Sequence, residues 1–371
     1  MDRAIKAIRE GDEKLTYGGR LNVKDKRLLN SATDLNQLVP FKYDWAWKGY
    51  LESCNGHWMP TEVSLDKDYA ELNAKKLVGE KEVYQIPSNQ RKVICDLLVN
   101  HIYLRQAAPN IVWLNLYRML ENPEGRQYLL RQIFEETLAD HAMMYIQDTT
   151  EIMLNKIDGV SVVRLLELLE GSYKDRHRIF RAFLPMFTEE KGTTLGKDNL
   201  REFMIELVLL YIFVNWISPF RGIYHVLKLN QQQSIVHGIA KLSDLMLRDL
   251  VHHQQVFKLI LETAMVENPE VFDLDFKDEL KIRVKKFLTV EEDLYSVFSV
   301  DENDYGDLSW FARVELNRIY NILDMSDSLY NVGNVPSAFI DSIMTRFKNH
   351  EIELHGGGMT VTGQGGGLGW D

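Results

Sequence analysis

Two stretches of the sequence gather side chains able to hold a metal or move a proton. In Phe134-Glu135-Glu136-Thr137-Leu138-Ala139-Asp140-His141, two adjacent carboxylates and an imidazole sit in an otherwise apolar helical pattern. Taken alone it reads better as a solvated stripe, with Glu135 and Asp140 exposed, than as a site. The second stretch, Leu247-Arg248-Asp249-Leu250-Val251-His252-His253, ends on neighbouring histidines. Adjacent helical residues point about 100° apart, so these two cannot both face one metal, and one is expected at the surface. A mononuclear site from Glu136, Asp140, His141 and His253 is disfavoured because the helical spacing separates Glu136 from His141.

Other chemistries find less support. Gly192-Thr193-Thr194-Leu195-Gly196-Lys197-Asp198 is too short for a phosphate loop and has Asp198 where Ser or Thr would meet magnesium, so it reads as a polar loop. The sequence contains no GxSxG, HExxH or Gly-rich strand-to-helix turn.

The elements that must carry these residues are helices. From about Asn89 to Asn349 apolar residues recur every three or four positions, and punctuation is limited to sites such as Asn122-Pro123, Ser218-Pro219, Asn268-Pro269 and Asn334-Val335-Pro336. Residues 1–83, with Pro40, Pro60 and scattered aromatics, read as an irregular arm packing on a helical domain over 84–349. Residues 350–371 read as a flexible tail: two Gly triplets lead to a terminal Leu368-Gly369-Trp370-Asp371 that suits an anchor for a partner.

Composition sets outer bounds. The 371 residues carry 43 Lys and Arg against 54 Asp and Glu, a net charge of −11, which argues against nucleic acid as the main partner. Cys54 and Cys95 fit no zinc or CxxC spacing and read as buried thiols of a cytoplasmic protein. The start of the chain does not read as a secretory signal. The most apolar run, Ile205 to Ile217, is interrupted by Glu206 and Asn215 and too short to span a bilayer; a helix buried on all sides is expected.

Several segments, in order along nearly the whole chain, carry a family resemblance: Phe41-Lys42-Tyr43-Asp44-Trp45-Ala46, Asn55-Gly56-His57-Trp58-Met59-Pro60-Thr61-Glu62-Val63, Asn122 to Gln132 followed by Phe134-Glu135-Glu136, and the ending Gly365 to Asp371. Together they resemble the small, radical-generating beta subunit of class I ribonucleotide reductase. The resemblance implies an all-α, ferritin-like bundle, a homodimer, and a C-terminal peptide, here Gly367, Leu368, Trp370 and Asp371, that docks on the large catalytic (alpha) subunit. It also implies a di-metal site with a carboxylate from each of two helices and a Glu-x-x-His from each of two others.

Carried over position by position, that site is degenerate. Arg105 stands at the first helix carboxylate. Glu136 keeps the first Glu-x-x-His glutamate, but Ala139 takes its histidine; Trp216 falls at the third-helix glutamate; Leu250 replaces the last glutamate while His253 keeps the last histidine. Met143 occupies the radical-tyrosine position. Trp58 and Asp249 match the residues that help carry the radical outward, but Thr362 aligns with the tail tyrosine. The losses are coordinated in charge, since carboxylates that two metals would balance have become Arg, Trp and Leu. An Arg105–Glu136 ion pair is expected, with Trp216 and Leu250 filling the vacated volume. The expected function is a cofactor-less subunit that binds the large subunit and pairs with an active beta subunit or its own copy. The alternative is an active small subunit, or a ferritin-like oxidase, with a di-iron or di-manganese cofactor or another radical site.

Overall fold

The structure is a computed structural model, and it describes residues 44–55, 57–101, 113–120, 122–152 and 197–350. From Trp45 onward the elements belong to one compact unit. The segment read as an arm contains helix α1 (Asp44–Asn55), a 3-10 turn (Pro60–Glu62), helix α2 (Asp66–Asn73) and an antiparallel hairpin of β1 (Lys75–Val78) and β2 (Lys81–Tyr84). Among the described residues the body contains α3 (Ser88–Asn100), α4 (Leu114–Met119), α5 (Pro123–Thr150), α6 (Lys197–Leu209), a π-helical segment (Leu210–Ile217), α7 (Ser218–Gln233), α8 (His237–Glu267), α9 (Leu274–Phe298), α10 (Asp304–Ile322) and α11 (Ala338–His350).

Local chemistry fixes the helix starts. Asn122 caps α5 by accepting the Gly125 N–H at 2.6 Å, with Pro123 in the first turn where a missing N–H costs nothing. Asp273 caps α9 through the Phe276 N–H. The α8 N-terminus is capped from a distance: Asp68 of α2 accepts the N–H groups of Gly238 and Ile239. A Cβ on Gly238 would collide with Leu65, the Ser64 carbonyl and Asp68, so glycine is what lets α2 reach this end.

The α6–π–α7 run is continuous through Pro219. Ser218 bonds to the Phe213 carbonyl five residues back, and Pro219 falls where this wide pattern returns to the α pattern, so the proline ends no helix. Ser218-Pro219 was expected to punctuate the chain; it does not. The run is the single described helix long and apolar enough to cross a membrane, and its apolar window is wholly buried. α3 and α7 pack closely enough that a Cβ on Gly222 would lie 2.8 Å from the Leu97 Cα.

Charge is buried between these helices. Arg221 forks onto Asp96 with two 2.8 Å bonds and reaches Glu291 at 2.6 Å; burial opposes its charge, but the two carboxylates hold its pKa above the ordinary value. Two turns on, the Lys228 ammonium stands among Asp301 at 2.7 Å, Asp304 and the Tyr224 hydroxyl at 3.1 Å. Tyr224 also donates to Asp307, which accepts from Ser337 just before α11. Of the cysteines, Cys95 is buried with its thiol pushed up to about 12, but Cys54 is exposed, because its place on α1 faces outward.

Candidate functional site

α5 brings Glu135 and Glu136 inward together, and each enters a different environment. Glu136 is completely buried and bound by neutral donors: the Trp113 indole N–H at 2.7 Å, the Gln132 amide at 2.9 Å and the Asn215 amide at 2.8 Å. The Gln132 carbonyl in turn accepts the Tyr211 hydroxyl at 2.9 Å. The Tyr211 ring stacks on Phe257 and leans against Trp113, and burial, with Glu136 nearby, pushes its pKa up. The bond from Tyr211 orientates the Gln132 amide, and both amides present N–H toward the carboxylate.

Glu135 is also buried, which corrects its expected exposure: it lies against α8, where one oxygen meets His253 Nε2 at 2.8 Å, and the other accepts from Arg131 at 2.9 Å. Burial alone would raise its pKa, but the bond to His253 and the nearby charges of His253 and Arg131 outweigh that and hold it low. Arg131 continues to the Ser53 carbonyl of α1, and the Ser53 hydroxyl pairs with His252 Nδ1 at 2.8 Å. Both histidines are therefore buried, against the expectation that one would reach the surface: α1 covers the side of α8 that carries His252. Burial, reinforced by His253, brings His252 down to about 4. Asp140 is half-buried.

Trp58 donates to Asp249 at 2.7 Å, joining the two residues matched to radical transfer. Burial and the proximity of Glu135 push Asp249 up to about 6, against the pull of the Trp58 bond and Arg248. His253 serves Glu135 and not Glu136.

Ala139, Met143 and Leu250 are buried apolar residues. Trp216 is buried too, but it is not the side chain of its helix that reaches Glu136. Asn215 is, and the Trp216 indole packs instead on Phe220, Phe311 and Phe347. The π segment sets this one-residue difference, which a uniform α register does not anticipate. Arg105, and with it the expected ion pair to Glu136, lies outside the described residues, as do Gly367, Leu368, Trp370, Asp371 and Thr362. Sequence reasoning missed Trp113, Gln132 and Tyr211. Gln132 had a signal, one helical turn before Glu136; Asn215 stood out as a polar residue in the most apolar run. Among the described residues, no group of three or more His, Cys, Asp and Glu converges as metal ligands do.

Residues 35–336 match the ribonucleotide reductase small-chain family. The chain belongs to that family. A relative, the ribonucleoside-diphosphate reductase subunit beta of Chlamydia pneumoniae, is 28% identical over 273 residues, covering 73% of this chain and 74% of its own. The fold is similar to the ribonucleotide reductase R2 subunit of Clostridium botulinum (TM-score 0.65, 17% identity, 82% of this chain and 89% of that one). It is also similar to a dimanganese(II) NrdF of Streptococcus sanguinis (TM-score 0.61, 13% identity, 83% and 98%). The ribonucleotide reductase small-chain bundle of ferritin-like type is thus the fold of this chain.

Proposed function

We propose that this small chain acts by binding and holds no di-metal or tyrosyl-radical cofactor of its own. It docks on the large subunit through its terminal peptide, and it pairs with a complete small subunit or with a second copy of itself, in the cytoplasm and without nucleic acid or membrane. The observation that carries this reading is the donor set around Glu136: Trp113, Gln132 and Asn215 all aim N–H groups at the carboxylate, where a metal pair would require lone pairs. Ala139, Met143 and Leu250 add no ligand, so the described residues do not fit a di-iron or di-manganese site. Pairing is supported by α5, whose outward face leaves Leu130, Phe134 and Met144 exposed in one stripe, an apolar surface of the kind a neighbouring helix covers.

Metal content per chain after aerobic iron or manganese loading, read with the electron paramagnetic resonance spectrum, tests the first part. Metal near zero and no radical are expected; two metals or a stable organic radical overturn it. For docking, removal of Leu368 to Asp371 is expected to abolish binding to the large subunit, and unchanged binding would sink the claim.

A second reading, an active small subunit with another radical site, draws on one observation: the Trp58–Asp249 hydrogen bond is intact. A radical signal without bound metal would favour it.

A further inference from the structure

Trp216 and Asn215 are neighbours on the π segment and look in different directions, one onto the aromatic cluster under α11, the other onto Glu136. Trp216, Phe220 and Tyr224 form a ladder at four-residue spacing along π–α7. Phe347 of α11 lies 5.2 Å from the Trp216 ring and 5.8 Å from Phe220, and Phe339 lies 5.2 Å from Tyr224, so α11 lies along that ladder. Its start is tied to the same helix through Ser337, Asp307 and Tyr224.

The π segment is also imperfectly satisfied. Among the described residues the buried Trp216 Nε1 has no acceptor, and the buried Asn215 Oδ1 has no donor. Each is a cost that this register carries and another register need not. A π turn holds one residue more than the α ladder takes, and moving that surplus past positions 215 and 216 turns them by about 100°, one residue's rotation.

We infer that Leu210–Ile217 is a two-register element, and that α11, through Phe347 on Trp216, holds it in the register that points Asn215 at Glu136. In the other register Asn215 withdraws from the carboxylate, so the state of α11, the last described helix before the C-terminus, is read at a buried site on α5. The inference goes beyond the proposed function and stands or falls separately, since it requires neither docking nor the absence of metal.

The full-length protein labelled with 5-fluorotryptophan provides the test by 19F NMR. Trp216 reports the junction, Trp113 reports Glu136 through its indole bond, and Trp58, bonded to Asp249, is the control. In Phe347→Leu, the Trp216 and Trp113 resonances are expected to shift or split together while Trp58 stays in place. In an Asn215→Ala background, Trp113 is expected to stop responding to Phe347→Leu. A shift at Trp216 with Trp113 unmoved, equal shifts at Trp58, or a Trp113 response that survives Asn215→Ala would overturn the inference. If Phe347→Leu does not fold, Phe347→Met is read by the same criteria.

Discussion

His253 Nε2 and Glu135 Oε2 meet at 2.8 Å inside the bundle, so the second of the two α8 histidines is joined to the first of the two adjacent α5 carboxylates. The neighbouring Glu136 is left to neutral donors. The two adjacent glutamates of α5 thus head two separate networks, one ending on α1 through Arg131 and Ser53, the other on the π segment through Asn215.

The donor set makes Glu136 hard to replace by its own amide. Glu136→Gln places an N–H₂ group among three N–H donors, so at least one neighbouring amide must turn over or a hydrogen bond is lost in a fully buried place. A destabilisation of about 1–3 kcal/mol is expected in urea unfolding. An unchanged midpoint would mean that the indole and amides do not hold this carboxylate.

Asp249 has a pKa of about 6, raised above the ordinary carboxylate value, so the native state holds its proton more tightly than the unfolded chain does. Stability from this residue is full below about pH 4 and is lost as pH rises through 6. Asp249→Asn keeps an acceptor for Trp58 and removes the titration. Relative to wild type, the variant is expected to gain up to about 3 kcal/mol between pH 4 and pH 7.5, seen in denaturant midpoints at the two pH values.

His252 and His225, the latter buried on α7 with Nδ1 3.6 Å from Asp304, work in the opposite sense. Burial is the main cause that brings each down to about 4, so the unfolded chain takes up protons that the native state refuses. Their contribution is full above about pH 6.5 and is lost as pH falls through 4, up to about 3 kcal/mol for each. His225→Gln is expected to flatten the acid limb of the Tm-against-pH curve; an unchanged limb would place the sensitivity elsewhere.

Arg221 neutralises two buried carboxylates at once. Arg221→Met leaves Asp96 and Glu291 without their guanidinium and is expected to cost about 3–5 kcal/mol, or to prevent folding. Arg221→Lys is expected to recover only part, because an ammonium cannot reproduce the two-pronged bond to Asp96. Soluble yield and chemical denaturation of the two variants provide the check.

Gly222→Ala is expected to destabilise by about 1–3 kcal/mol although it adds one methyl group, since the backbone of Leu97 stands where that methyl would go.

The helical body was legible because its apolar periodicity is long and sustained, and Glu136 stood out as one of two adjacent carboxylates in an apolar helical pattern. What remained hidden turns on single-residue geometry. Asn215 and Trp216 exchange roles through a π turn, a hydrogen-bonding pattern that no residue type announces. Glu135 reads as exposed from α5 alone and is buried because Arg131 and His253 meet it there. One of His252 and His253 reads as a surface residue, yet both are buried, because α1, distant in sequence, covers the His252 side of α8. In each case a contact between elements overrides what the local pattern favours.

The Lys228 ammonium lies among Asp301, Asp304 and Tyr224 as a counter-ion covalently attached to the chain. A free ion at such a position would come and go with its concentration in solution. Here occupancy is settled by folding itself, so chelators and changes in metal supply leave this junction of α7 and α10 untouched, and the anchor of α11 at Ser337 shares that independence.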